Sequence, residues 1–203
     1  STSKLDYWHW VDALYMVMPV MVKMYDITKN PLYLEKLHQY LTVTDSIMYD
    51  REVGLYYRDA KYPYPFHKTI NGKKDFWSRG DGWAFAAFAK VLKQLPAEDK
   101  YREEYITRFQ TMAKSIAACQ QPEGYWTRSL IDPEQAPGPE TSGTALFTYG
   151  FLWGINNGLQ KRLGTILKQQ HCKLMEKSDI FNLSEKKQYQ GRWWMLIHVS
   201  ILE

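Results

Sequence analysis

The chain has 203 residues, enough for one domain with a real core and too few to argue for two. The formal charge of +4 is uneven, because residues 1–159 carry 18 basic and 18 acidic side chains while residues 160–203 carry eight and four. A basic tail with neither zinc spacing nor a recognition-helix pattern excludes a nucleic-acid partner, and no apolar run reaches membrane-spanning length.

Residues 8–27, WHWVDALYMVMPVMVKMYDI, are apolar nearly all round, with Asp12 the only acid before Asp26. Such a segment is expected to be a helix buried on every side, kinked or irregular at Pro19. Residues 31–48 predict a more amphipathic helix, with Pro31 suited to a first turn and Leu34, Leu37, Leu41 and Ile47 forming its stripe. Gly54 then separates two short stretches, the second of which, LYYRDA, reads as extended. Residues 62–78 are rich in Pro, Gly, Lys and aromatics and predict a long loop. A compact Ala-rich helix follows over residues 82–95, a charged one over 99–121, and a second long loop leads to a helix over 141–157.

Nearly apolar helices thus alternate with amphipathic ones, and loops repeatedly lead into the N-terminal ends of the apolar ones. The repeat is roughly 65 residues, judged from Asp12, Asp81 and Ser142. An inner ring of buried helices and an outer ring of half-exposed ones accounts for the pattern, so the fold class expected is all-α, a partial toroid of helical hairpins. An irregular helical bundle is the alternative.

Three clusters carry chemistry. Asp12 lies among Trp, Val, Leu, Tyr and Met, with His9 and Trp10 beside it; burial there favours a protonated carboxyl, as a general acid requires, or else Asp12 serves its own helix end. In WSRGDGW, residues 77–83, Arg79 offers a planar fork for a carboxylate and Trp77 and Trp83 offer stacking faces, unless the segment is a turn held by an Arg79–Asp81 pair. Thr141 and Ser142 stand at capping positions of the last helix. His67, in the second cluster's loop, either reaches a ligand or stands in solvent. The eight Trp and fifteen Tyr fit both core packing and stacking on sugar faces. Cys119 and Cys172 make no disulfide framework, no Cys/His group has metal-ligand spacing, and neither metal nor cofactor is expected.

Taken together, WHWVDALYMVMP, GLYYRDA, DFWSRGDGWAFAA and PETSGTALFTYGFLWGINNGL resemble, in order and spacing, successive motifs of glycoside hydrolase family 105, with family 88 a more distant relative. The resemblance covers about residues 6–159 and implies an (α/α)6 barrel. It further implies a hydrolase of oligosaccharides ending in a 4,5-unsaturated uronic acid, working by hydration of the C4=C5 bond. Asp12 then takes the role of catalytic acid, and Trp10, Arg79 and Trp83 match substrate-lining positions, with Thr141 and Ser142 as further binding residues. Arg58 stands where many relatives place a histidine, which points to a different leaving-sugar preference. A second Asp of the family is expected upstream of Ser1, and the resemblance suggests a bacterial cytoplasm or periplasm. Other α-toroid carbohydrate enzymes, or a glycan-binding remnant without turnover, are the competing readings.

After Leu159 the patterning changes. Codons permitted for residues 168–198, read one base earlier, give an open frame similar to the family's continuation. Residues 160–203 are therefore expected to be a frameshifted tail beginning near Gln160. The polypeptide as it stands is expected to be poorly soluble or inactive, with inner helices exposing faces meant for absent neighbours.

Overall fold

The computed structural model describes residues 9–159. They form five helices, α1 (Asp12–Thr28), α2 (Leu32–Met48), α3 (Ser78–Gln94), α4 (Arg102–Ala118) and α5 (Thr141–Asn156), and a two-stranded antiparallel ribbon of β1 (Tyr49–Asp50) and β2 (Leu55–Tyr56). The fold is all-α, as expected. Residues 160–203, and with them the proposed tail, lie outside the described residues.

Helix α3 lies at the centre, packed against α1, α4 and α5. Its composition explains the position: Ala84, Ala86, Ala87 and Ala89 are buried alongside Phe85 and Phe88, so neighbouring backbones come close while two rings fill the gaps. The outer helices bury one stripe each. On α2 it is Leu34, Leu37, Leu41, Thr44, Asp45 and Met48, and on α4 it is Tyr105, Phe109, Met112, Ala113 and Ile116.

The inner helices run side by side in one direction. A side-chain carbon on Gly143 would come within 2.5 Å of Ser78 Cβ, one on Gly82 within 3.0 Å of Leu146 Cβ, and one on Gly150 within 2.5 Å of the Phe85 ring. These three pairs keep a near-constant offset, so α3 and α5 are parallel and their N-termini adjoin. Likewise a Cβ on Gly80 would meet Val11 Cγ1 at 2.8 Å, and Trp83 packs on Tyr15 at 4.5 Å between ring centroids. The N-termini of α1, α3 and α5 therefore form one end of the fold.

Three expectations need correction. Helix α1 is not buried on every side: Leu14, Met18 and Val22 are inside, but Met16 is 51% exposed and Val20 55%. Its all-round apolar character is not matched by neighbours on all sides among the described residues. Helix α3 begins at Ser78, not at residue 82, because Gly80 and Gly82 are helical contact surfaces against Val11 and Leu146 and not turn residues. Helix α5 is capped by neither Thr141 nor Ser142; the Glu140 carboxylate accepts from the Gly143 N–H, and Thr141 is the first helical residue. Pro19 lies within the continuous span of α1.

Candidate active site

Two pieces of irregular backbone bring the candidate residues together. The first is the segment after β2. The Asp50 carboxylate and the left-handed Gly54 (φ +78°) close the ribbon's turn, and beyond it Val11 N–H donates to Arg58 O at 3.0 Å and Ala60 N–H to His9 O at 3.0 Å. This pairing sets Trp10 opposite Asp59 and carries Arg58 to the start of α1. The second is a short ladder in which Ser78 N–H donates to Arg128 O at 2.9 Å and Leu130 N–H to Phe76 O at 2.9 Å, with Trp77 opposite Ser129. Ser78 Oγ also donates to Thr127 O.

Asp12 is the first residue of α1 and half-buried. Burial pushes its carboxyl above the ordinary value, while the positive charges of Arg79 and then Arg58 pull it back. The two opposing influences leave a carboxyl that holds its proton more firmly than a surface aspartate, yet whose conjugate base has cations at hand. Tyr15, one turn along, faces Trp83, which is itself one turn along α3 from Arg79. Asp12 and Tyr15 on α1 thus face Arg79 and Trp83 on α3.

Arg58 is held on all sides. Its Nε and Nη2 both reach Asp59 Oδ2 at 2.7 Å, and its guanidinium lies 3.7 Å from the Tyr62 ring, 4.8 Å from Trp77 and 5.0 Å from Trp10. Trp10 is 52% exposed, so its ring stays open to solvent beside the cation. The loop behind is braced as well: His67 Nε2 bonds buried Asp75 at 2.9 Å, and its ring lies 3.9 Å from that of Tyr62. His67 is therefore part-buried and tied to Asp75, and it steadies Tyr62 beneath Arg58.

Asp81 does not pair with Arg79. It is fully buried, Oδ1 accepts the Tyr56 N–H at 2.8 Å, and burial raises its pKa well above the ordinary range. It ties α3 to β2 and so belongs to the scaffold. Ser142 Oγ donates to Glu140, and Thr141 is exposed on the adjoining helix end. The structure brings Trp10, Asp12, Arg58, Arg79 and Trp83 together and sets Thr141 and Ser142 on the neighbouring α5 N-terminus. Sequence reasoning missed Tyr62, Tyr15 and Arg128, whose guanidinium lies 4.9 Å from the Trp77 ring. No spacing announces Arg128; the ladder between residues 76–78 and 128–130 puts it there.

Among the described residues there is no group of His, Cys, Asp and Glu that could hold a metal ion, and no helix is long and apolar enough to cross a membrane.

The comparisons agree with this architecture. The family model of Glycosyl Hydrolase Family 88 matches residues 2–184, and the chain belongs to that family. It is the second of the two families whose motifs the sequence resembles. The chain is 37% identical over 152 residues to an unsaturated 3S-rhamnoglycuronyl hydrolase from an Alteromonas species, an alignment that takes in 75% of this chain and 36% of that protein. Among solved structures, a glycosyl hydrolase family 88 protein from Bacteroides vulgatus is 91% identical with a TM-score of 0.82, over 86% of this chain and 51% of that one. A protein named as a polysaccharide lyase is 59% identical with a TM-score of 0.83, over 94% of this chain and 57% of that one. The family's members are α/α barrels, so the hairpins α1–α2 and α3–α4, followed by α5, are a sector of such a barrel. The chain spans about half the length, or less, of these relatives.

Proposed function

We propose that this chain carries the acid-bearing part of the active site of a glycoside hydrolase acting on oligosaccharides that end in a 4,5-unsaturated uronic acid. The observation that carries the reading is Asp12, a carboxyl raised by burial yet within the fields of Arg79 and Arg58 beside an open indole. The name of the Alteromonas relative supports the substrate class.

The chemistry follows from what a neutral carboxylic acid can do beside a vinyl ether. Asp12 donates its proton to C4, and positive charge develops at C5 and the ring oxygen. Water adds at C5 and returns a proton to the Asp12 carboxylate. The resulting hemiketal opens and releases the next sugar. The committed step is hydration of a double bond, so one carboxyl serves as acid and then as base, in contrast to paired-carboxylate displacement at the anomeric carbon. Arg79 takes the uronate carboxylate as a planar fork, and Trp83 and Trp10 supply stacking faces. Thr141 and Ser142 contribute hydroxyls from the α5 end.

A second reading, elimination, is favoured by the relative named as a lyase. Elimination needs a base to remove a proton from the carbon bearing the carboxylate, and a carboxyl that holds its proton more firmly than a surface aspartate is the better fit to an acid's part.

One measurement separates the two readings, made on the product of the uninterrupted reading frame that contains this sequence. Hydration consumes the ultraviolet absorbance of the unsaturated uronate, whereas elimination creates it. The expectation is loss of absorbance, reduced on the order of a thousandfold or more in Asp12→Asn, since removing a general acid costs typically 10²–10⁴-fold. A gain of absorbance from a saturated substrate, or equal rates in Asp12→Asn, overturns the reading.

A further inference from the structure

Below the mouth of the site, a cation stands among the three inner helices. Lys90 lies two turns past Trp83 on α3 and on the same helix face. Its ammonium is 5.7 Å from the Tyr15 ring on α1 and 5.8 Å from the Tyr149 ring on α5, so one side chain spans all three helices. Helical side chains lean toward the N-terminus of their own helix, which here is the mouth, and the long lysine chain therefore rises toward Trp83 from below. Tyr15 is the link between the two, since the ring that faces the ammonium also packs on Trp83 with centroids 4.5 Å apart. All four side chains are half-buried. Burial pulls the Lys90 pKa below the ordinary lysine value, and the charges of Lys93 and then Lys23 add to that. The two ring faces offset part of the cost of placing a charge there. Arg79 stands three turns nearer the mouth, roughly 16 Å along the axis at 1.5 Å per residue. Lys90 is therefore out of reach of the reacting atoms, and the charges acting on Asp12 are those of Arg79 and Arg58.

We propose that Lys90 is a positioning residue for sugar binding: its ammonium, drawn to the faces of Tyr15 and Tyr149, holds the Tyr15 ring as the wall against which Trp83 keeps its stacking orientation. This rests on the function proposed above and adds to it a residue that acts through Trp83 and touches no reacting atom. The ammonium stands at nearly equal distances from the two phenol rings, so it fixes Tyr15 relative to α5 as well as to α3. An indole whose wall can shift gains freedom in the unbound site, and that freedom must be given up again when a sugar stacks on it. The stacked face of the sugar is not the bond being protonated, so the loss weakens ground state and transition state alike. It therefore falls on KM and not on kcat.

The test is steady-state kinetics on the protein used for the absorbance measurement above, with an unsaturated uronyl disaccharide as substrate. Lys90→Met keeps much of the side chain's length and removes its charge. It is expected to raise KM about three- to tenfold, the worth of one aromatic contact, with kcat within about twofold of the parent. Lys90→Arg restores a cation beside both rings and is expected to bring KM back to within about twofold of the parent. Tyr15→Leu is expected to raise KM to a similar degree, and adding Lys90→Met to it to change KM by less than about twofold, because both act on one wall. Circular dichroism checks that each variant is folded; should Lys90→Met unfold, Lys90→Gln takes its place in every comparison. An unchanged KM in Lys90→Met, a loss confined to kcat, or an arginine variant no better than the methionine one overturns the positioning role and leaves the hydrolase reading standing. Effects of Lys90→Met and Tyr15→Leu that multiply in the double variant do the same. A parent that consumes no absorbance overturns the hydrolase reading and the positioning role with it.

Discussion

Two aspartates of this chain, Asp12 and Asp81, both have carboxyls raised by burial, and they differ in what surrounds them. Asp12 is half-buried with two guanidiniums in range. Asp81 is sealed, with one backbone donor on Oδ1 and no partner on Oδ2 among the described residues. A sealed carboxyl keeps its proton in the native state, whereas in the unfolded chain it ionises near the ordinary value of 3.8. The unfolded state therefore loses that proton first as pH rises, and native stability falls with pH above about 4 on this group's account. Asp81→Asn keeps an oxygen to accept the Tyr56 N–H and removes the ionisation. It is expected to gain stability over the parent as pH rises from 5 to 8, read as a widening difference in urea midpoints. A constant difference across that range would show that Asp81 is not the protonated scaffold group described here.

At the level of elements, the close approach of α3 and α5 decides how the site's end of the fold is assembled. Gly150 has the Phe85 ring 2.5 Å from where a Cβ would stand. Phe85 has little room to yield, being stacked on Phe109 at 4.5 Å and set edge-on to Phe151 at 5.1 Å. Gly150→Ala is therefore expected to destabilise by about 1–3 kcal/mol, the usual cost of overpacking, despite Ala's better helix propensity. A denaturant midpoint equal to or above the parent's would mean that the two helices are free to part. The outer helices are fastened differently: Arg108 on α4 bonds Asp45 on α2 at 2.7 Å and Tyr56 Oη at 2.6 Å, joining both helices to the ribbon. Repacking at Gly150 reaches the site because Gly143 and Ser78, two turns away, carry the same α3–α5 contact to the helix ends.

For the whole molecule, the open face of α1 is the feature with consequences. Met16 and Val20 are more than half exposed, and Ile27 is 70% exposed farther along. A helix so apolar with one face open is expected to make the isolated chain self-associate, seen as concentration-dependent light scattering. Charged replacements at Met16 and Val20 are expected to reduce it; a monomer at all concentrations would contradict this. The proposal that residues 160–203 are read out of frame rests on their charge balance and on the open alternative frame, while the family match itself reaches residue 184. Resequencing the DNA across the Gln160 codon tests it, an intact frame there being the contrary result.

Alternating apolar and amphipathic segments were enough to foresee helical hairpins with inner and outer members, because each helix's burial is written in its own periodicity. The half-buried position of Asp12 and the grouping of Arg79 with indoles were legible too, since burial of Asp12 follows from the residues around it and WSRGDGW concentrates unusual side chains in seven positions. Contacts between distant segments were not legible. The glycines at 80 and 82, which fitted either close approach of a ligand to backbone or a turn, are helical contact surfaces, a distinction that depends on Val11 and Leu146 pressing from other segments. Glu140 displaced Thr141 and Ser142 as the cap because its longer side chain reaches the Gly143 N–H, a matter of local geometry. Arg128 gave no sign at all. Its meaning comes from a ladder that joins segments fifty residues apart, and long-range pairing of that kind leaves no trace in the order of residues along either strand.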